Sequence, residues 1–152
     1  MQATSKVSKT IDAPSKDVWT ALTDPAKLRK FMFGAEVKSH WKVGSKITFT
    51  GEMNGKKYAD KGEIRDFEPE RKLSYTHWSS SSGTEDKPEN YHIVTYELTP
   101  HGGDQTMVTI TQSNLSGKTT EDDRKHREQY DKTWSMMLDG LDKLVSKGRA
   151  AA

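Results

Sequence analysis

The sequence predicts an α+β fold: a strongly curved antiparallel sheet of about six or seven strands wrapped round one long C-terminal helix, with two short helices after strand 1. Three observations carry that expectation. From Thr120 to Lys147 the apolar residues Tyr130, Trp134, Met137, Leu138, Leu141, Leu144 and Val145 recur at the i, i+3, i+4 spacing of a single helical face. From Glu36 to Ser113 the period changes to two, as in strands with one face buried. Between these regimes stands no other long helical pattern, so the apolar stripe has only the sheet to bury it.

The elements follow in order. Ser5 to Ile11 alternates, with Val7 and Ile11 on one side, and reads as the first strand. Pro14 marks the start of a short helix with Val18, Trp19, Ala21 and Leu22 on its apolar face and Asp17 in its first turn. Asp24-Pro25 is a second start, an N-cap acid before a proline at the first helical position. The helix it opens, Ala26 to Met32, ends near Gly34. Ile47, Phe49, Gly51 and Met53 then alternate with polar residues, and Asn54-Gly55 joins them to Lys56–Asp66. Asn-Gly between alternating runs is a strong hairpin signal, because both central residues must take positive φ. Pro69-Glu70 makes the next turn. Leu73, Tyr75 and His77 form a strand, as do His92, Val94, Tyr96 and Leu98. His101 to Asp104 turns into a last strand over Met107–Ser113. Thr119 or Thr120 can cap the long helix, Asp123 stands three residues after Thr120, and acids fill the first turn. Lys143, Lys147 and Arg149 gather at the other end, where Gly148 is the expected stop. Gly140 is a helix-interior glycine that costs about 1 kcal/mol against alanine, and it points to a close approach there.

Bulk properties exclude several classes. The 152 residues suit one domain, 1–152. The 24 Lys and Arg nearly balance the 22 Asp and Glu, which argues against nucleic acid as partner. There is no cysteine, hence no disulfide, thiolate catalysis or sulfur-ligated metal. Met1–Thr10 lacks an apolar core segment and no run is long enough to enter a membrane, so the expected location is cytoplasmic. Asn114-Leu115-Ser116 matches a glycosylation sequon by chance on that reading.

Local motifs for chemistry are scarce. The five histidines form no metal-ligand spacing, so no metal is expected, and there is no nucleophile elbow, phosphate loop or dinucleotide glycine pattern. No catalytic residue and no cofactor are assigned. His77 and His92 flank the serine-rich segment Ser79–Asn90 on two strands expected to pair. They serve either as the polar end of a cavity or as a hydrogen-bonded pair that holds the loop. A connection of this length is either a lid or simply mobile. The remaining signal is a set of aromatic and methionine residues that includes Phe31, Phe33 and Met136. Tyr and Trp inside a sheet–helix interface bring polar tips, and Met adapts its shape. A sheet bent round one helix leaves a void near one end, the place for a flat or flexible apolar ligand. The expected ligand-binding residues are Phe49, Tyr58, Tyr75, Tyr96, Trp134, Met137 and Leu138, with His77 and Tyr130 as polar contacts.

The chain also resembles a known group of proteins. Ile11-Asp12-Ala13-Pro14, Val18-Trp19 and Ala21-Leu22-Thr23-Asp24-Pro25 are similar to the opening of the helix-grip superfamily called SRPBCC or START-like. Phe33-Gly34, Trp41 with Gly44, Gly51-Glu52, Lys61-Gly62, Glu68-Pro69 with Arg71, and Leu73 extend the likeness. So do Tyr75-Thr76-His77-Trp78, Pro88-Glu89-Asn90-Tyr91-His92 and Trp134 with Leu138, Gly140 and Leu141. The closer match is to the branch related to the activator of heat-shock-protein-90 ATPase. The resemblance implies the helix-grip fold. It also implies a choice of functions, since such relatives bind small molecules, cyclise polyketides or contact a chaperone. The leading expectation is a non-catalytic module binding a small apolar or aromatic molecule. The alternatives are a co-chaperone or other protein-interaction module, and a cyclase- or hydrolase-type enzyme using His77 or His92.

Overall fold

The computed structural model describes residues 3–80 and 83–146. The elements run β1 (Ala3–Ile11), α1 (Ser15–Thr23), α2 (Pro25–Phe31), β2 (Glu36–Ser39), β3 (Lys46–Met53), β4 (Lys56–Glu68), β5 (Lys72–Ser79), a 3-10 turn Pro88–Asn90, β6 (His92–His101), β7 (Gln105–Asn114) and α3 (Glu121–Val145). The seven strands form one antiparallel sheet in the order β1-β7-β6-β5-β4-β3-β2. This is the α+β helix-grip arrangement that the sequence pattern predicts.

Local chemistry accounts for the boundaries. Asp24 accepts from the Ala26 amide at 3.0 Å, and Pro25 opens α2. Asn54 and Gly55 both take positive φ, 54° and 80°, as the β3–β4 turn requires. At α3 the Thr120 hydroxyl accepts from the Asp123 amide while the Asp123 carboxylate accepts from the Thr120 amide, a reciprocal capping box. The helix ends at Val145, before the expected stop, and Ser146 is extended. Lys147, Gly148 and Arg149 lie outside the described residues.

Curvature comes from interruptions in the ladder. The β4–β5 register shifts between Ile64 and Asp66, and the β1–β7 register shifts between Ala3 and Ser5. Near the first shift only glycine fits: a Cβ on Gly62 would stand 1.5 Å from the Thr76 carbonyl oxygen. The concave face carries the core, with Ile11, Ile64, Leu73, Val94, Val108 and Ile110 meeting Leu138 and Leu141 of α3 and Val18 of α1. Each such side chain stabilises the fold by about 1.5–3 kcal/mol on burial. The predicted stripe on α3 is borne out at Met137, Leu138 and Leu141, which are buried, while Trp134, Leu144 and Val145 pack partly buried at its margins. The close approach at Gly140 is to Phe31 of α2, whose Cβ would lie 3.1 Å from an added Cβ.

The inward positions of β1 reach α3 by polar contacts. Ser5 donates to Asp131, and the Lys9 ammonium lies 2.7 Å from Asp139 and 3.4 Å from Asp142. The hydrogen bond that Lys9 donates to Asp139 is the main reason that the Lys9 pKa is raised. No helix among the described residues is long and apolar enough to cross a membrane.

Candidate functional site

Strands β3–β5 diverge from α3 near the middle of the helix and leave a cavity of about 530 Å³. The pleat supplies its floor. Phe49 pairs with Asp60 across β3 and β4, Asp60 pairs with Ser79 across β4 and β5, and Tyr58, Tyr75 and His77 share that face. Thr133, Trp134 and Met137 of α3 form the opposite wall. Met32, Phe33 and Ala35, which follow α2, close one side, and Asn54 and Lys56 stand at the β3–β4 turn. Two backbone features shape it. Gly51 makes room for the Tyr58 ring, since a Cβ there would meet the phenol oxygen at 2.7 Å. Phe33 takes φ of 57° ahead of Gly34 at 81°, a strained position for an aromatic residue, and its ring remains 47% exposed at the cavity.

Most polar tips near the apolar walls are already bonded within the protein. The Tyr75 and Tyr96 hydroxyls lie 2.7 Å apart. Burial holds both phenols well above the ordinary tyrosine range, and the neighbouring Tyr96 adds to the rise at Tyr75. The Trp134 indole N–H donates to Gln112 Oε1 at 2.9 Å, and the Gln112 amide donates to Thr4 at 3.0 Å. Phe49 meets the Tyr75 ring at 5.4 Å and the His77 ring edge-on at 5.6 Å. The polar end is a compact group: Asp60 accepts from Ser79 Oγ at 2.7 Å and bonds His77 Nε2 at 3.0 Å. Tyr58 is raised by burial and then by the Asp60 charge.

The structure gathers Phe49, Tyr58, Tyr75, His77, Trp134 and Met137 around this cavity. It sets three other expected residues apart. Tyr96 lies behind Tyr75. Leu138 is fully buried in the core. Tyr130 packs against His92 and His126, with ring centroids 5.9 and 6.2 Å away. His77 and His92 are direct register partners, as expected, but each engages its own carboxylate. His92 Nε2 lies 3.6 Å from Asp123, within the α3 capping group, and burial lowers its pKa against the opposing pull of Asp123. Burial would raise Asp123, but bonds from Thr120 and Asn114 hold its carboxyl below the usual range. Asn114, the sequon residue, is buried and donates to Asp123 and to the Lys118 carbonyl.

Sequence reasoning missed Asp60, Ser79, Met32, Ala35 and Thr133 as cavity residues. For two of them a signal existed: Asp60 has the parity of Tyr58, and Ser79 that of Tyr75 and His77. Residues 83–91 fold away from the cavity. Lys61 and Trp78, register partners on the opposite face from Asp60 and Ser79, hold them. Asp86 bonds Lys61 and Tyr91, and the Trp78 indole donates to Thr84 at 3.1 Å. These bonds lower the Asp86 pKa, while burial and Asp86 push Tyr91 up to about 12. Among the described residues no cluster of three His, Cys, Asp or Glu side chains could hold a metal ion. The exposed large apolar side chains among them are Phe33, Val43 and Met136. Phe33 lines the cavity, Met136 lies on α3, and Val43 lies in the connection between β2 and β3.

A curved antiparallel sheet closed on one long helix, with a cavity where they part, defines a helix-grip protein. The chain belongs to the Activator of Hsp90 ATPase homolog 1-like protein family, whose model matches residues 12–146. It is 40% identical to a protein from Cytophaga hutchinsonii of known solution structure, with 100% of both chains covered and a TM-score of 0.76. The crystal structure of protein MLL2253 from Mesorhizobium loti is 23% identical over 91% of this chain and 95% of that one, with a TM-score of 0.70. The solution structure of the Aha1 dimer from Colwellia psychrerythraea is 19% identical over 95% and 96%, with a TM-score of 0.69. The last two likenesses establish the fold alone. No curated protein matches the sequence.

Proposed function

We propose that this protein binds a small apolar or aromatic molecule in the cavity between β3–β5 and α3. The observation that carries this reading is a void of about 530 Å³ walled by Phe49, Tyr58, Tyr75, Trp134 and Met137 and ended by the Asp60–His77–Ser79 group. Ligand sites are typically concave, mostly apolar and oriented by a few polar groups. The bonded tips of Tyr75 and Trp134 support the same reading, because they leave those walls apolar toward a guest. Binding needs no catalytic step, and the function is that of a carrier or sensor of its ligand.

The test is a native mass spectrum of freshly purified protein beside a denatured one, followed by ligand-observed NMR with a panel of aromatic fragments. The expected result is an extra mass lost on denaturation, or saturable fragment binding that Met137→Trp abolishes. A bare protein mass together with no saturable binding overturns the reading.

A further inference from the structure

The polar end of the cavity carries more information than its apolar walls. His77 meets Asp60 through Nε2 at 3.0 Å. A carboxylate can only accept, so the ring nitrogen facing it carries the proton. The other Asp60 oxygen accepts from Ser79 Oγ at 2.7 Å, which holds the carboxylate in place. The edge-on contact with Phe49 holds the imidazole from another side. With Nε2 donating to Asp60, the neutral ring presents Nδ1 as a lone-pair acceptor. Among the described residues Nδ1 has no hydrogen-bond partner, and no buried side-chain nitrogen or oxygen lacks one. Nδ1 is therefore open, on a residue that lines the cavity.

We infer that the ligand of this cavity carries a hydroxyl or N–H donor on its aromatic or apolar body, and that the donor bonds His77 Nδ1. Asp60 is the positioning residue that fixes the acceptor tautomer. The inference rests on the cavity reading above and narrows it from apolar molecules in general to donor-bearing ones, such as phenols. The geometry suits this class because an acceptor beside apolar walls rejects a guest that lacks a donor: the guest would strip the nitrogen of water and return nothing.

Two measurements test it. In wild-type protein with 15N-labelled histidine, two-bond 1H–15N correlations should show the His77 proton on Nε2. In Asp60→Asn, whose amide can accept or donate, both tautomers should appear. 2-Naphthol and 2-methoxynaphthalene, nearly the same shape with and without a donor, are then titrated against wild type and His77→Phe. Wild type should prefer 2-naphthol by about tenfold, as an ordinary net hydrogen bond gives. His77→Phe should bind both probes with equal affinity and keep its cooperative thermal melt. A His77 proton found on Nδ1 in wild type overturns the inference without recourse to any variant. Equal wild-type affinity for the two probes, or a preference that survives His77→Phe, overturns it and leaves the cavity reading standing. Binding of neither probe overturns the inference, and overturns the cavity reading as well where the protein mass is bare and no fragment binds.

Discussion

The two halves of the apolar stripe on α3 meet the same sheet in different ways. Toward its C-terminus, Leu138 and Leu141 are buried against the strands and α1, and Gly140 lets Phe31 of α2 close in. At its start, near the middle of the helix, Trp134 and Met137, with Thr133 beside them, look across a void to β3–β5. One amphipathic stripe thus serves as core at one end and as a cavity wall at the other. The contrast shows that hydrophobic periodicity reports a buried face without reporting what, if anything, fills the space before it.

The largest effect that would sharpen this contrast is Leu141→Ala. Leu141 is 1% exposed, and its truncation should cost about 2–5 kcal/mol in a denaturant melt. Trp134→Ala is the counterpart at the open end. A core tryptophan would lose about 3–5 kcal/mol, whereas Trp134 should lose less than about 3 and impair probe binding more than stability. Equal losses at the two positions would erase the distinction between the halves. Phe33→Asn should act in the opposite direction. Asparagine tolerates positive φ, so the variant should gain up to about 1 kcal/mol of stability while weakening fragment binding at the cavity. A loss of stability there would mean that the Phe33 ring packs as core.

The smallest effect is a pH dependence carried by His92. The folded pKa of His92 lies below its ordinary value of 6.5, so the unfolded chain takes up the proton first on acidification. Stability from this source is complete above about pH 6.5 and declines as the pH falls toward the folded value. Melts between pH 7.5 and 5 should show that decline, and His92→Phe should flatten it. Tyr75 and Tyr96 act at the other extreme. Their raised values mean that the unfolded chain loses protons first above about pH 10, so stability falls there as pH rises.

Much of the fold was legible before any coordinates. Asn54-Gly55, Asp24-Pro25 and Thr120 with Asp123 are local chemical statements, and each is realised as written. The candidate site was legible only in part. Six expected residues surround the cavity, because side-chain parity along a strand assigns a face. Tyr96, Tyr130 and Leu138 stand apart because parity says nothing of depth. Met32, Phe33 and Ala35 enter from α2 and the turn after it, and no period links those positions to strands β3–β5.

By itself the sequence determined the element order, the turns, the helix caps and the faces that turn inward, since these depend on residues a few positions apart. Tertiary structure alone decided where the sheet parts from α3, that His77 is held by Asp60 while His92 joins the helix cap, and that residues 83–91 lie on the outer face. The reason is physical. Sheet curvature is set by ladder interruptions such as the Ile64/Asp66 shift, and the distance between sheet and helix sums small rotations over many residues. No local pattern encodes that sum.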